Sequence, residues 1–230
     1  MIPVGSVSML GRPRLHLRAT TSTNDRARAL AIAGAPHGAL VTAGEQSAGR
    51  GRQGRTWVAP PGRALLLSLL LRSYDALLPL RGGLAVADLA GGAARVKWPN
   101  DVLVEGGKLA GVLVEARPQS GWAVLGIGVN VAVELASLPS DLRASTLGRP
   151  PEALEETLDE LLACLERRLA EPAADSLAAL RSRDALLGRR VRWDGGSGIG
   201  AGIDDAGALL VRVADGGFRA LEAGEVHLGV

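Results

Sequence analysis

Apolar and polar positions change period several times along the chain, and each change marks an element. His16–Thr20 alternates briefly, and Thr21-Ser22-Thr23-Asn24-Asp25 then offers a cluster of N-cap residues. A helix is expected from about Asp25 to Ala33, ended by Gly34 and Pro36. Leu40–Ala43 reads as a short strand and Ala64–Arg72 as a strongly apolar one. Between them, residues 44–63 hold five glycines, two prolines and four arginines, too glycine-rich for a helix. Residues 1–13, with Pro3, Gly5, Gly11 and Pro13, read as a loose lead-in.

Leu80–Leu89 has the pattern of a short helix. Arg95–Trp98 and Val102–Val104 read as strands on either side of Pro99-Asn100-Asp101, followed by apolar strands over Leu109–Ala116 and Trp122–Val133. From Glu152 the period becomes helical: Leu154, Leu158, Leu161, Leu162, Leu165 and Leu169 line one face. A second helix is expected after Pro172, running toward Leu187.

After Gly188 five short strands are separated by glycine turns: Val191–Trp193, Ile199–Ile203, Leu209–Val213, Phe218–Leu221 and Val226–Leu228. Strands without helices over so short a stretch suggest a small β-barrel. The fold class expected is α+β: a mixed β-sheet with helices packed on one side, residues 1–187, and a barrel over 188–230.

Composition narrows the class. With 47% hydrophobic residues in 230, the chain can bury a sizeable core and is not a disordered tail. Lys and Arg number 26 against 24 Asp and Glu, too balanced for a protein whose whole surface tracks nucleic acid. Cys164 is the single cysteine, which excludes an intramolecular disulfide and a cysteine zinc cluster and fits a reducing cytoplasm. The three histidines, His16, His37 and His227, stand far apart with no ligand spacing, so no metal-binding residue is assigned. No apolar run approaches the ~20 residues of a membrane span, and no signal peptide is evident, so no membrane partner is expected.

Chemistry concentrates in four places. Glu45 to Trp57 contains Gly49-Arg50-Gly51-Arg52-Gln53-Gly54-Arg55, in which glycines free backbone N–H groups and arginines add forked charge, an anion cradle. It is not a Walker loop, because no Lys-Ser/Thr pair ends it. A solvated loop is the alternative. Lys97-Trp98-Pro99-Asn100-Asp101 puts an amide and a carboxylate at a turn, and Lys108-Leu109-Ala110-Gly111 places an ammonium at the start of an apolar strand, where it needs an anionic partner. A plain hairpin with an exposed lysine accounts equally well for that pair. Ser22-Thr23-Asn24 reads as helix capping when taken alone, and Gly126-Ile127-Gly128-Val129-Asn130 reads as a strand ending on an amide.

These segments together, in this order, resemble the biotin–protein ligase family, strongly over residues 15–147 and more weakly from Gly188 onward. The resemblance implies activation of biotin by ATP with Mg²⁺ as biotinyl-5′-AMP, then transfer to one lysine of a biotin carboxyl carrier domain. It implies that the C-terminal barrel is SH3-like. Ser22, Thr23 and Asn24 would lie beside the biotin ring, while Gln46, Gly49, Arg50, Gly51 and Arg52 would line its tail and the phosphate. Lys108, with Gly111 beside it, would hold the carboxylate, and Lys108 and Arg50 would be the catalytic pair. Arg52, Arg55 and Trp57 would meet the nucleotide, with Asn130 reading adenine. Ser22 lies too near the start for the DNA-binding domain of many bacterial members, so no DNA partner is expected, and a homodimer is left open. Two alternatives stand: a lipoate– or octanoate–protein ligase of the same superfamily, and an RNA-binding module using the Gly/Arg segment.

Overall fold

The computed structural model describes residues 10–138 and 142–228. Most of the lead-in expected over residues 1–13 lies outside them.

Among the described residues, seven strands and four α-helices precede the second sheet. They are β1 (Arg14–Leu17), α1 (Thr23–Ile32), β2 (Leu40–Ala43), β3 (Ala64–Leu71), α2 (Leu78–Ala90), β4 (Arg95–Lys97), β5 (Asp101–Val104), β6 (Gly107–Arg117), β7 (Trp122–Asn130), α3 (Leu154–Ala170) and α4 (Ala173–Ser182). The seven strands form one sheet in the order β1-β2-β3-β7-β6-β5-β4. β1 pairs with β2 in parallel and every other pair is antiparallel, so the sheet is mixed.

β3 lies centrally and is buried at every position, which is why its sequence reads as a continuous apolar run rather than an alternation. Leu67, Leu69 and Leu71 join the large core with α2 and α3, whereas Leu70 joins a smaller cluster with Ala27 and Ala31 of α1. α1 therefore lies on the opposite face from α2 and α3, and the expected one-sided helix layer is corrected to a two-sided one. The alternation of side chains along β3 and β7 divides the two clusters: Val124 faces α1, and Leu125 faces the large core. α3 buries Leu158, Leu161 and Leu165, the face expected from its periodicity.

The helix expected after Pro172 stops at Ser182 instead of running toward Leu187. The chain turns there because Val96 at the sheet edge takes it over: Val96 N–H donates to Arg183 O, and Ala185 N–H donates to Val96 O. The second sheet follows as β8 (Arg190–Trp193), β9 (Gly196–Ile203), β10 (Leu209–Arg212), β11 (Phe218–Leu221) and β12 (Val226–Leu228). All its pairings are antiparallel in the order β11-β10-β9-β8-β12. Among the described residues no pairing joins β11 to β12, so the expected barrel is an open five-stranded sheet. Its apolar residues, Val191, Ile203, Leu209 and Val211 among them, continue the large core of the first sheet. Trp98 binds the two sheets directly: its buried Nε1 donates to Gly207 O at 3.0 Å.

Candidate active site

Position 22 is the N-cap of α1, but no side-chain capping hydrogen bond forms there. The polar run Ser22-Thr23-Asn24 is buried, and its groups serve the interior of a pocket rather than the helix end. Gln46 Oε1 accepts from Thr23 N–H at 2.7 Å and from Thr23 Oγ1 at 3.0 Å. Ser68, the single polar residue of β3, places its fully buried Oγ 2.6 Å from Asn24 Oδ1 and 2.8 Å from Thr23 Oγ1. The sequence carried a signal for Ser68, a hydroxyl interrupting an apolar strand, and motif reading missed it.

The floor of the pocket is β7. Gly126 and Gly128 share its α1-side face, two residues apart. A Cβ at Gly126 would collide with the Asn24 carboxamide, and one at Gly128 would come within 2.6 Å of the Trp57 indole. The indole also rests beside Gly111 of β6, where an added Cβ would lie 3.3 Å from Cζ3. Glycine at these positions is what lets an amide and an aromatic ring lie flat on the sheet. Trp57 Nε1 is buried against the sheet beside Gly128 without a protein hydrogen-bond partner.

Lys108 enters from the β5–β6 hairpin, whose two-residue turn, Glu105-Gly106, has positive φ at both positions. Its Nζ lies 2.7 Å from Asp101 Oδ1 and 5.8 Å from the centre of the Trp57 ring. Asp101 is the anionic partner that Lys108 requires. Lys97 stands on its other side, 3.8 Å from Oδ2, and burial lowers the Lys97 pKa against the opposing pull of Asp101. Asn100 braces the turn, donating from Nδ2 to Val112 O at 3.0 Å.

The Gly/Arg segment is folded, not extended. Trp57 N–H donates to Gly49 O, Gly51 N–H donates to Arg55 O, and Arg52–Gly54 makes a 3-10 turn. Arg50 and Arg52 consequently point apart instead of reaching for one group. Arg50 pairs with Asp25 and Glu115, whereas Arg52 donates to Asn100 Oδ1 at 3.3 Å and to Gly224 O at 3.0 Å. Arg55 pairs with Glu225, so the β11–β12 turn forms one wall.

Of the residues singled out from sequence, Ser22, Thr23, Asn24, Gln46, Arg50, Gly51, Arg52, Arg55, Trp57, Lys108 and Gly111 all line this one pocket. Gly49 does not line it; a Cβ there would meet Trp57 O, so its part is to let the loop strands close. Asn130 does not reach it either. Its amide donates to Lys108 O at 3.3 Å and Ser145 O at 3.0 Å, tying residues 143–147 behind Lys108. Motif reading also passed over Asp25, Glu115 and Glu225, whose roles depend on partners far away in the chain.

Five cationic side chains line the pocket (Arg50, Arg52, Arg55, Lys97 and Lys108) against two carboxylates, Asp101 and Glu225. Such a site favours a polyanion at one end. At the other end, buried hydroxyls, the buried Asn24 amide and the part-buried Gln46 amide suit a neutral ring with donors and acceptors, and the indole between the two ends suits an apolar stretch. Among the described residues no group of three or more His, Cys, Asp and Glu gathers to hold a metal ion.

Residues 17–131 match the family model described as "Biotin/lipoate A/B protein ligase family". The chain is 37% identical over 244 residues to a biotin–[acetyl-CoA-carboxylase] ligase of Paracoccus denitrificans, covering 93% of this chain and 99% of that one. It is 38% identical over 234 residues to the Mycobacterium tuberculosis protein of the same name, covering 91% and 86%. The fold is similar to that of a biotin protein ligase from Aquifex aeolicus in complex with biotin and ATP, with a TM-score of 0.80, 26% identity, and coverage of 95% and 100%.

Proposed function

The chain belongs to the biotin/lipoate A/B protein ligase family, and from that premise we propose that it activates biotin with ATP and transfers it to a lysine of a biotin carboxyl carrier domain. In the first step a biotin carboxylate oxygen bonds to the α-phosphorus, and the bridging bond to the β-phosphate breaks. Pyrophosphate leaves and biotinyl-5′-AMP remains. In the second step the acceptor amine bonds to the acyl carbon, the acyl–phosphate bond breaks, and AMP and a proton depart.

The observation that carries this reading is the order of surfaces along the floor. The amide of Asn24 lies over Gly126, the indole of Trp57 over Gly128, and Lys108 beside Gly111. Biotin presents a polar ureido ring, an apolar tail and a carboxylate in the same order. Ser22, Thr23, Asn24 and Gln46 take the ring, Trp57 supports the tail, and Lys108 offsets charge on the carboxylate and phosphoryl oxygens as the bond forms. Arg52 and Arg55 stand where the remaining phosphates and the nucleotide enter. Asn130 contributes by fixing the backbone on which Lys108 sits. Mg²⁺ enters as the metal complex of ATP, since it is held mainly by phosphates and water and asks little of the protein.

A lipoate ligase needs no buried polar end of this kind, because its acyl tail is linear and apolar. Incubation with biotin, ATP, Mg²⁺ and a carrier domain, followed by intact mass measurement, tests the proposal. The expected result is one added biotin per carrier, unaffected by excess lipoate; labelling by lipoate instead would overturn it. Among the described residues no helix is long and apolar enough to cross a membrane.

A further inference from the structure

Beside the pocket, four charged side chains from three separate pieces of chain close into a ring. Arg28 Nη2 lies 2.8 Å from Asp25 Oδ1, and that same oxygen pairs with Arg50 Nη2. Arg50 Nη1 lies 3.4 Å from Glu115 Oε1, and Arg28 Nη1 returns to that oxygen at 3.5 Å. Signs alternate around the ring, so it is neutral. Asp25 and Arg28 belong to α1, and Glu115 belongs to β6. Arg50 comes from the Gly/Arg loop. The second oxygen of Glu115 accepts from Asn24 Nδ2 at 2.8 Å, which connects the ring to the buried polar end of the pocket.

We propose that Asp25 and Glu115 form the seat into which Arg50 latches the Gly/Arg loop over the pocket, making Glu115 a positioning residue that acts through Arg50 and Asn24. Arg50 spends both terminal nitrogens on this seat. Its guanidinium is thereby held by carboxylates on the fixed scaffold, and the loop follows. The side chains are 19–37% exposed, so the latch is screened by salt and can open. An opening latch suits a site that must shelter an activated acyl group and then admit a protein acceptor. That consequence rests on the ligase reading; the latch itself does not.

The test uses the full chain without ligand, measuring amide hydrogen exchange over residues 48–57 in the parent, Glu115→Gln, Asp25→Asn, Arg50→Gln and the Arg50→Gln/Glu115→Gln double variant. Each single variant should exchange about three- to tenfold faster in this segment, with the α2 and α3 amides unchanged. The double variant should be no faster than Arg50→Gln alone, because that variant already removes the Arg50–Glu115 contact. Molar salt should quicken the parent and leave the Arg50 variant nearly unmoved. Asp25→Asn leaves the Glu115–Asn24 bond intact, so it guards against a Glu115 variant that is merely misfolded. Unchanged exchange in Asp25→Asn, or additive effects in the double variant, would overturn the latch. ATP–pyrophosphate exchange run alongside reports separately: its absence in the parent together with a loosened loop in the variants would retire the ligase reading and leave the latch standing.

Discussion

The Nζ of Lys108 lies 2.7 Å from Oδ1 of Asp101, a carboxylate presented by the neighbouring strand at the Pro99 turn. This pair aims the ammonium across the floor of the pocket toward the Trp57 ring. Lys108→Ala should leave the fold intact, since Lys108 is partly exposed, and should reduce biotin-dependent pyrophosphate release by about 10²–10³-fold, the cost of losing one preorganised charge in such a site. Steady-state pyrophosphate release and thermal unfolding check both halves of the expectation.

Arg50 bridges two carboxylates, and that bridge sets the outcome of replacing it. Arg50→Gly should still form adenylate but lose it to water and to bystander lysines, so albumin mixed with enzyme, biotin and ATP becomes biotinylated. Arg50→Lys should restore retention only in part, because an ammonium lacks the fork needed to hold Asp25 and Glu115 together. A blot for biotin on albumin distinguishes the three proteins.

Gly128 has no room for a side chain, with the indole of Trp57 2.6–2.9 Å from where a Cβ would stand. Gly128→Ala should push the ring off the sheet and cost roughly 1–3 kcal/mol of stability. The KM for biotin should rise as well, because the displaced indole enters the space of the tail. Urea unfolding and substrate titration measure the two effects independently.

Asp184 lies just past the end of α4 at Ser182 and carries a buried Oδ2 without a partner, while Oδ1 accepts from Leu186 N–H at 2.8 Å. Burial raises its pKa above the ordinary carboxylate range, with the backbone donors of Leu186 and Leu187 pulling the other way. A folded pKa above the unfolded one means that its stability contribution is full below the unfolded value, about 3.9, and is lost as pH rises through the folded value. Asp184→Asn should therefore gain on the parent as pH climbs from 4 to 7 in paired urea titrations. A difference independent of pH would contradict this.

Local order was legible from the chain because periodicity and glycine placement are local. β3, β7, α3 and the glycine-rich break over residues 44–63 follow from runs a few residues long. The motif segments were likewise visible, and eleven of the thirteen site residues assigned from them meet in one pocket. The face taken by α1 was not legible, because its small buried residues, Ala27 and Ala31, give no strong apolar stripe to assign.

What the sequence by itself determined is the set of chemical groups and their order: small polar residues, an aromatic, lysines and arginines spaced along segments that local rules already shape. What only the tertiary structure decided is which of those groups face the pocket and which hold one another. Glu115 looks like a solvent-side position of a strand until Arg50, 65 residues away, lands on it. Asn130 looks like a reader at a strand end until the chain near Ser145 folds back and takes its amide. A charge or an amide can satisfy itself with water or with any partner brought near, and sequence spacing sets no distance between segments so far apart. Packing of the sheet chooses the partner, and with it the division between residues that bind a substrate and residues that hold the site in shape.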